Sequence, residues 1–342
     1  MRTITLGRTG ITVPQNAFGA LPIQRIPKED AAQLLQCAYE GGMRFFDTAR
    51  AYSDSEEKIG YAFGREGGIF KTGREHIFIA SKTHAQTPQE FQKDLETSLR
   101  MLNCGYIDVY QFHQMDTCWK PGDGTGMYEC MLEAKAEGKI RHIGATTHKL
   151  GVAMEIVQSR LYETLQYPFS YLATEKEMDL YRQVQKSGMG FICMKALAGG
   201  LITHSDVAYA YLAQYPVAPI WGIQRESELD EFLSYNENPP VLTPERKAFI
   251  QQERQELVGE FCRGCGYCMP CPAGIEINTC ARMSLLLRRS PTAGHLSEKG
   301  QAMMKKIEGC LHCGKCKSKC PYGLDTPTLL QKNYEDYKTF LK

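Results

Sequence analysis

The sequence predicts an α/β protein of two parts, a closed (β/α)8 barrel followed by a small cysteine-rich domain. Three observations predict it. Short apolar runs alternate with helical patterns from Asn16 to Tyr235, and their eight repeats suit a compact barrel better than an open sheet. No GxGxxG follows an early strand, as a doubly wound sheet would lead one to expect. Of the 14 cysteines, Cys37, Cys104, Cys118, Cys130 and Cys193 are scattered, and the rest crowd between Cys262 and Cys320.

The elements follow in order. Residues 4–13, ITLGRTGITV, read as a hairpin around a Gly-containing turn, and Asn16–Ala20 as the first barrel strand. Lys28–Glu40 carries Ala31, Leu34, Leu35 and Ala38 at helical spacing and stops at Gly41-Gly42. Arg44, Phe45 and Phe46 make a short strand closed by Asp47. Tyr52 lies on the following loop, and Ser53 with Glu56 reads as a capping box for helix Glu56–Phe63. Strand Ile77–Lys82 precedes helix Pro88–Leu102, whose Phe91, Leu95, Leu99 and Leu102 share a face. Strand Ile107–His113 leads through a Gly/Pro loop to helix Met127–Glu137 and strand Ile140–Ala145. Helices Leu150–Ser159, Glu177–Ser187, Ser205–Gln214 and Glu226–Tyr235 then interleave with strands Thr164–Tyr167, Gly190–Met194 and Ala218–Gly222. NENPP at 236–240 breaks the pattern. Thr243-Pro244-Glu245 then starts a charged helix to Glu260, expected as a linker strapping the second domain to the barrel. The expected domains are 1–238, the 239–260 linker, and 261–342.

The 342 residues suffice for one large and one small domain, and 43% hydrophobic content is ordinary for a packed core. A formal net charge of +1 argues against nucleic acid or an anionic membrane as partner. No apolar segment follows a basic start, and runs such as Ala196–Ile202 are too short to span a bilayer, so a soluble, cytoplasmic protein is expected. Without a secretory leader, dense cysteines suggest metal rather than disulfides.

Asp47, Lys82 and His113 each terminate an apolar strand, and Tyr52 follows one of them on its loop. Singly, each has an ordinary reading as a turn residue, a solvated lysine, a core histidine or an amphipathic surface tyrosine. Together, at three successive strand ends, they sit where a (β/α)8 barrel opens its active site.

In the cysteine-rich part, 310–321 reads C-L-H-C-G-K-C-K-S-K-C-P, the C-x2-C-x2-C-x3-C-P run of two-cluster ferredoxins, and 262–272 departs from it by one residue before its last cysteine. Zinc sites use pairs of CxxC instead. Because each run's fourth cysteine binds the other cluster in ferredoxins, Cys262, Cys265, Cys268 and Cys320 are assigned to one [4Fe–4S], and Cys310, Cys313, Cys316 and Cys271 to the other. Cys280 lies in a helix-like stretch and reads as an inert buried thiol. Lys315, Lys317 and Lys319 flank the second run. They either balance cluster charge, dock an acidic electron carrier of ferredoxin or flavodoxin kind, or are simply solvated.

The segments DTARAY at 47–52, IASKTH at 79–84, VYQFHQMD at 109–116 and IRHIGATTH at 140–148 resemble the aldo-keto reductase family. The resemblance covers roughly the barrel. It implies a TIM barrel that reduces an aldehyde or ketone, or oxidises the alcohol, with NADP(H) or NAD(H). The family's catalytic positions fall on Asp47, Tyr52, Lys82 and His113. Lys82 would make the Tyr52 phenol more acidic, Asp47 would keep Lys82 protonated, and neutral His113 would orient the substrate oxygen. The family's carboxamide-binding positions match Thr146, Thr147 and Gln166. Thr-Thr departs from the usual Ser-Asn, and Met194 with Lys195 stands where an aromatic usually stacks on the nicotinamide. Gly222 and the next helix start suit a phosphate, and Arg225 a 2′-phosphate, giving a lean toward NADP. A second reading keeps the barrel as a binding scaffold and makes the protein an electron carrier.

Overall fold

The computed structural model describes residues 2–257 and 261–341. Met1, Lys342 and 258–260, with which the expected linker ends, lie outside the described residues. The chain forms two compact units. The first comprises 1–169, 173–196 and 209–241, and the second 170–172, 197–208 and 242–342.

The first unit starts with an antiparallel hairpin, β1 (Thr3–Thr5) and β2 (Thr12–Pro14). Eight strands follow: β3 (Ala17–Gly19), β4 (Phe45–Asp47), β5 (Phe78–Thr83), β6 (Ile107–Phe112), β7 (Ile140–Thr146), β8 (Thr164–Pro168), β9 (Gly190–Met194) and β10 (Ala218–Gly222). They pair in parallel in chain order, and β10 closes on β3 to complete the barrel. Parallel strands covered on both faces must be apolar throughout, and all six residues of β6 are buried. The hairpin's Ile4, Leu6, Ile11 and Val13 pack on Ala17, Phe45, Val109 and Ala218, filling one end of the barrel with apolar side chains. Gly144 of β7 has no alternative residue at that position: a Cβ there would lie 2.4 Å from Thr164 Oγ1 and 2.7 Å from Gln111 Cγ.

Helices Lys28–Glu40, Pro88–Leu102 and Leu150–Ser159 have the bounds that their apolar spacing predicts. The predicted capping box at Ser53 and Glu56 does not form. Ser53 takes a left-handed conformation (φ 41), helix Ser55–Phe63 starts after Asp54, and no side chain caps it. Glu56 turns inward, where it accepts from Ser81 Oγ at 2.6 Å and pairs with Arg50. A buried carboxylate needs such partners more than a helix end needs a cap.

The second unit is helical and holds its own core, in which Leu201, Ile275, Ile277, Met283 and Leu330 pack together with Cys262 and Cys316. The predicted linker helix is real, at Pro244–Glu256, and belongs to this unit. Its Glu253 is paired with Arg289 at 2.7 Å and accepts from the Tyr171 hydroxyl at 3.2 Å. Arg246 reaches Asp206 at 2.8 Å. These side-chain bonds tie 170–172 and 197–208 to helix Pro244–Glu256 within the second unit. No described helix is long and apolar enough to cross a membrane.

Candidate active site and cysteine cavities

The register of the barrel builds the first site. Asp47 ends β4 beside Ala80, and Lys82 stands two residues further along β5, on the same face as Ala80. Lys82 Nζ donates to Asp47 Oδ2 and to the Thr48 carbonyl, each at 2.6 Å. Both side chains are sealed, with 1% and 2% of their surface exposed. The backbone continues the ladder past β4: Thr48 N–H donates to Ala80 O and Arg50 N–H to Lys82 O. That places the Tyr52 ring 4.9 Å from Lys82 Nζ and 5.7 Å from the His113 ring, edge to face. His113 follows β6 and its N–H donates to Thr83 O. The four residues marked in the sequence thus meet at one end of the barrel, the end where the strands finish.

Burial dominates the electrostatics. It pushes the Asp47 carboxyl up, against the pull of Lys82. Burial also works against the Lys82 charge, but Asp47 and Tyr52 outweigh it and hold the ammonium above its ordinary value. The 2.6 Å contact thus joins Asp47 to a lysine whose charge its neighbours favour. Tyr52 differs from the sequence expectation. Lys82 does pull its phenol down, but burial is larger and the net direction is up. Until a carbonyl arrives the phenol holds its proton. Burial, with Lys82, His84 and His148 nearby, drives His113 well below the usual histidine range, so it is neutral.

Three neighbours were missed in the sequence. The His84 ring stacks on His113 with centroids 4.1 Å apart and planes at 18°. Gln111 donates to Gln166 Oε1 at 3.0 Å, and Gln166 in turn reaches Asp47 Oδ2 at 3.5 Å. His148 is buried and neutral, with Lys195 as its one charged influence besides burial. The signal for the first two was strand alternation: His84 lies two residues past Lys82, and Gln111 two before His113.

The proposed nicotinamide contacts are spread along the same strand ends. Thr146 Oγ1 accepts from Gln114 N–H at 2.7 Å, and Thr147 Oγ1 donates to Met115 O at 2.9 Å. Met194 ends β9 half-buried, and Lys195 after it is left-handed at φ 55. Gly222 ends β10, ahead of helix Glu226–Glu237. The start of that helix is occupied by the chain itself, because Glu228 Oε2 accepts from Gln224 N–H at 3.0 Å and Arg225 N–H at 3.2 Å. Arg225 Nε donates to the same carboxylate at 3.0 Å, in a largely exposed pair.

In the second unit the cysteines line two cavities. Cys262, Cys265, Cys268 and Cys320 share one. Cys271, Cys310, Cys313 and Cys316 share the other, to which Cys268 also contributes. The thiols stand around the walls; among the described residues no three His, Cys, Asp or Glu side chains converge as a site for a single ion. A donor set of four thiols per cavity fits a [4Fe–4S] cluster. Gly264 N–H already points to Cys262 Sγ at 3.4 Å. Burial raises the Cys262 and Cys316 thiols and takes Cys268 to about 12, so filling the cavities must release protons. Cys280 is fully buried in a short helix apart from both sets, its thiol pushed up to about 12 by burial.

Comparison with known proteins finds a match for each of the two parts of the chain. A family model for the aldo/keto reductase family matches residues 15–208, and one for a 4Fe-4S dicluster domain matches 261–325. An uncharacterized oxidoreductase of Bacillus subtilis is 26% identical over 58% of this chain and 67% of its own length. An L-galactose dehydrogenase of Arabidopsis thaliana is 25% identical over 58% and 66%. The chain thus spans about two thirds of the length of these relatives. In fold it is similar to an aldo-keto reductase of Bacillus halodurans solved in its holo form (TM-score 0.64, 21% identity, covering 74% of this chain and 96% of that one). The chain belongs to the aldo/keto reductase family and carries a 4Fe-4S dicluster domain after its barrel.

Proposed function

We propose that the protein is an iron-sulfur oxidoreductase that reduces an aldehyde or ketone, or oxidises the corresponding alcohol, with a nicotinamide. The observation that carries this reading is the sealed Lys82–Asp47 pair beside Tyr52 and neutral His113. When bound, the nicotinamide supplies a hydride to the carbonyl carbon. Every other part falls to the chain. Tyr52 gives its proton to the carbonyl oxygen. Lys82 is charged beforehand and so compensates the tyrosinate as it forms, which is stabilisation spent on the transition state rather than on the bound substrate. Asp47 keeps that charge in place at low dielectric. His113, neutral and buried, donates a hydrogen bond to the substrate oxygen and orients it.

Thr146 uses its oxygen to accept from Gln114, which leaves its O–H for a carboxamide. Thr147, Gln166, Met194 and Lys195 complete the proposed nicotinamide contacts, and Gly222 the approach of the phosphates. Arg225 is exposed and Glu228 half-buried, so the pair is worth on the order of 1 kcal/mol and a 2′-phosphate can take over the arginine. This supports NADP over NAD. The thiols assigned above would hold two [4Fe–4S] clusters, which carry single electrons. A small acidic carrier of ferredoxin or flavodoxin type, meeting exposed Lys315, Lys317 and Lys319, is the proposed partner.

The test is Tyr52→Phe. Loss of the general acid should lower kcat for a simple aldehyde such as 4-nitrobenzaldehyde by about 10²–10⁴-fold, with NADPH affinity nearly unchanged. Turnover at the wild-type rate would sink the assignment. A second reading, an electron carrier with the barrel as scaffold, is favoured by one observation: Glu228 fills the helix start that a phosphate would use. Binding of neither NADPH nor NADH to the wild-type protein would select it.

A further inference from the structure

The two cysteine cavities differ in the charges around them. At the second, Lys315, Lys317 and Lys319 are all exposed, and Lys317 is tied to Asp325 at 3.0 Å. Charges so placed are screened by water and salt within about 10 Å. Arg263 lines the first cavity with its guanidinium over the Tyr322 ring, and Arg282 lies behind the Cys262 loop, between helices Ile277–Cys280 and Met283–Arg289. The Arg282 side chain is largely withdrawn from water, which disfavours its charge, and among the described residues the Cys262 thiol acts electrostatically in its favour. One guanidinium nitrogen donates to Gly199 O at 3.0 Å. The Nε is buried and has no hydrogen-bond partner among the described residues.

Gly264 shows how close this cation stands to the cysteine loop. It is left-handed at φ 62, and a Cβ on it would meet Arg282 Cζ at 3.1 Å and Nη1 at 3.1 Å. The same residue's N–H faces Cys262 Sγ. A glycine here therefore serves two ends, the turn and the room for a guanidinium. A buried cation with an orphaned donor is costly unless something anionic answers it. Four thiolates around a [4Fe–4S] cluster leave a net charge of about minus two when oxidised, and each added electron makes it one unit more negative; that charge, with hydrogen bonds to the sulfurs, sets the potential.

We propose that Arg282 raises the reduction potential of the cluster held by Cys262, Cys265, Cys268 and Cys320, by placing a poorly solvated positive charge beside the Cys262 loop. The effect is local to that cluster. One electron from an external one-electron donor enters the cluster, no bond is made or broken, and the arginine favours the more negative product. The second cluster, flanked by solvated lysines, is affected far less, because the same charge counts for more at low dielectric than in water. Two chemically similar clusters thus acquire independent potentials from one side chain.

This inference rests on the two-cluster reading, and the experiment separates the two. Full-length protein is purified anaerobically, its iron counted, and both clusters titrated with poised mediators and dithionite while reduction is followed by EPR. Fewer than about eight irons in the wild type, by the ligand count, defeats the cluster reading itself. With eight present, Arg282→Gln should lower the reduced-to-oxidised ratio of one cluster at least tenfold at fixed applied potential, about 59 mV for one electron. The other cluster should move by much less than that, and Lys315→Gln should move neither by as much. Arg282→Lys, which keeps the charge, should retain most of the wild-type value. Equal shifts of both clusters, no shift, or a full shift in Arg282→Lys would each overturn the proposal. Should Arg282→Gln lose iron, Arg282→Lys decides alone: retained iron and retained potential support the charge, and loss of either refutes it.

Discussion

The two sites of this chain are held in opposite ways. At the barrel mouth the polar groups answer one another. Lys82 has Asp47 and the Thr48 carbonyl, Gln166 has Gln111, and the strand ladder fixes where each stands. In the second unit the functional groups are free thiols, and two of them, Cys262 and Cys316, are also members of the core. A barrel site can be complete before its cofactor arrives. A thiol-lined cavity in a small core gains its strongest cross-links with metal, so metal binding should add to the stability of that core.

The largest expected consequence concerns iron. Stripping it with a chelator under reducing conditions should abolish amide protection across 261–337 in hydrogen exchange while β5, β6 and β7 keep theirs. Equal loss in both units would mean that they are not separately stabilised. Next in size is Lys82→Met, which leaves Asp47 buried and unpaired. It should cost about 3–5 kcal/mol of barrel stability in denaturant unfolding and remove carbonyl reduction, with the iron content unaffected. A stable Lys82→Met protein would show that the pair is less sealed than described.

The pH response also separates the sites. His113 and His148 are buried neutral, with folded pKa values below the unfolded value of about 6.5. Below that value the unfolded chain binds more protons, so barrel stability is full above it and falls as the solution is acidified. His113→Gln should flatten the slope of barrel unfolding free energy between pH 7 and pH 5; an unchanged slope would contradict a neutral His113. The smallest effect is at the helix start. Arg225→Ala should raise KM for NADPH several-fold and leave KM for NADH nearly constant, and equal changes in both would remove the case for a 2′-phosphate contact.

Much of this architecture was legible in the sequence, because its signals are local. Apolar spacing gave helix Pro88–Leu102 its bounds, and strand Gly190–Met194 was bounded by its own apolar run. The cysteine spacings marked two sets that the fold brings to two cavities. What failed depended on distant partners. Glu56 looks like a capping residue until Ser81, 25 positions away, is seen to claim it. The phenol of Tyr52 was expected to be acidified by Lys82, because sequence shows the charge and hides the burial that outweighs it. Arg282 carries no motif at all, and only packing puts it beside Gly264.

In the proposed reading the barrel moves two electrons as hydride, the clusters move one at a time, and the two do not exchange within turnover. The most direct measurement is stopped-flow absorbance under argon, mixing the iron-loaded protein with NADPH and 4-nitrobenzaldehyde. The account predicts NADPH oxidation at the steady-state rate with the cluster absorbance unchanged, and rapid bleaching only when dithionite is added. Bleaching of the clusters at the rate of turnover would contradict it and make the cysteine domain a relay within the reaction.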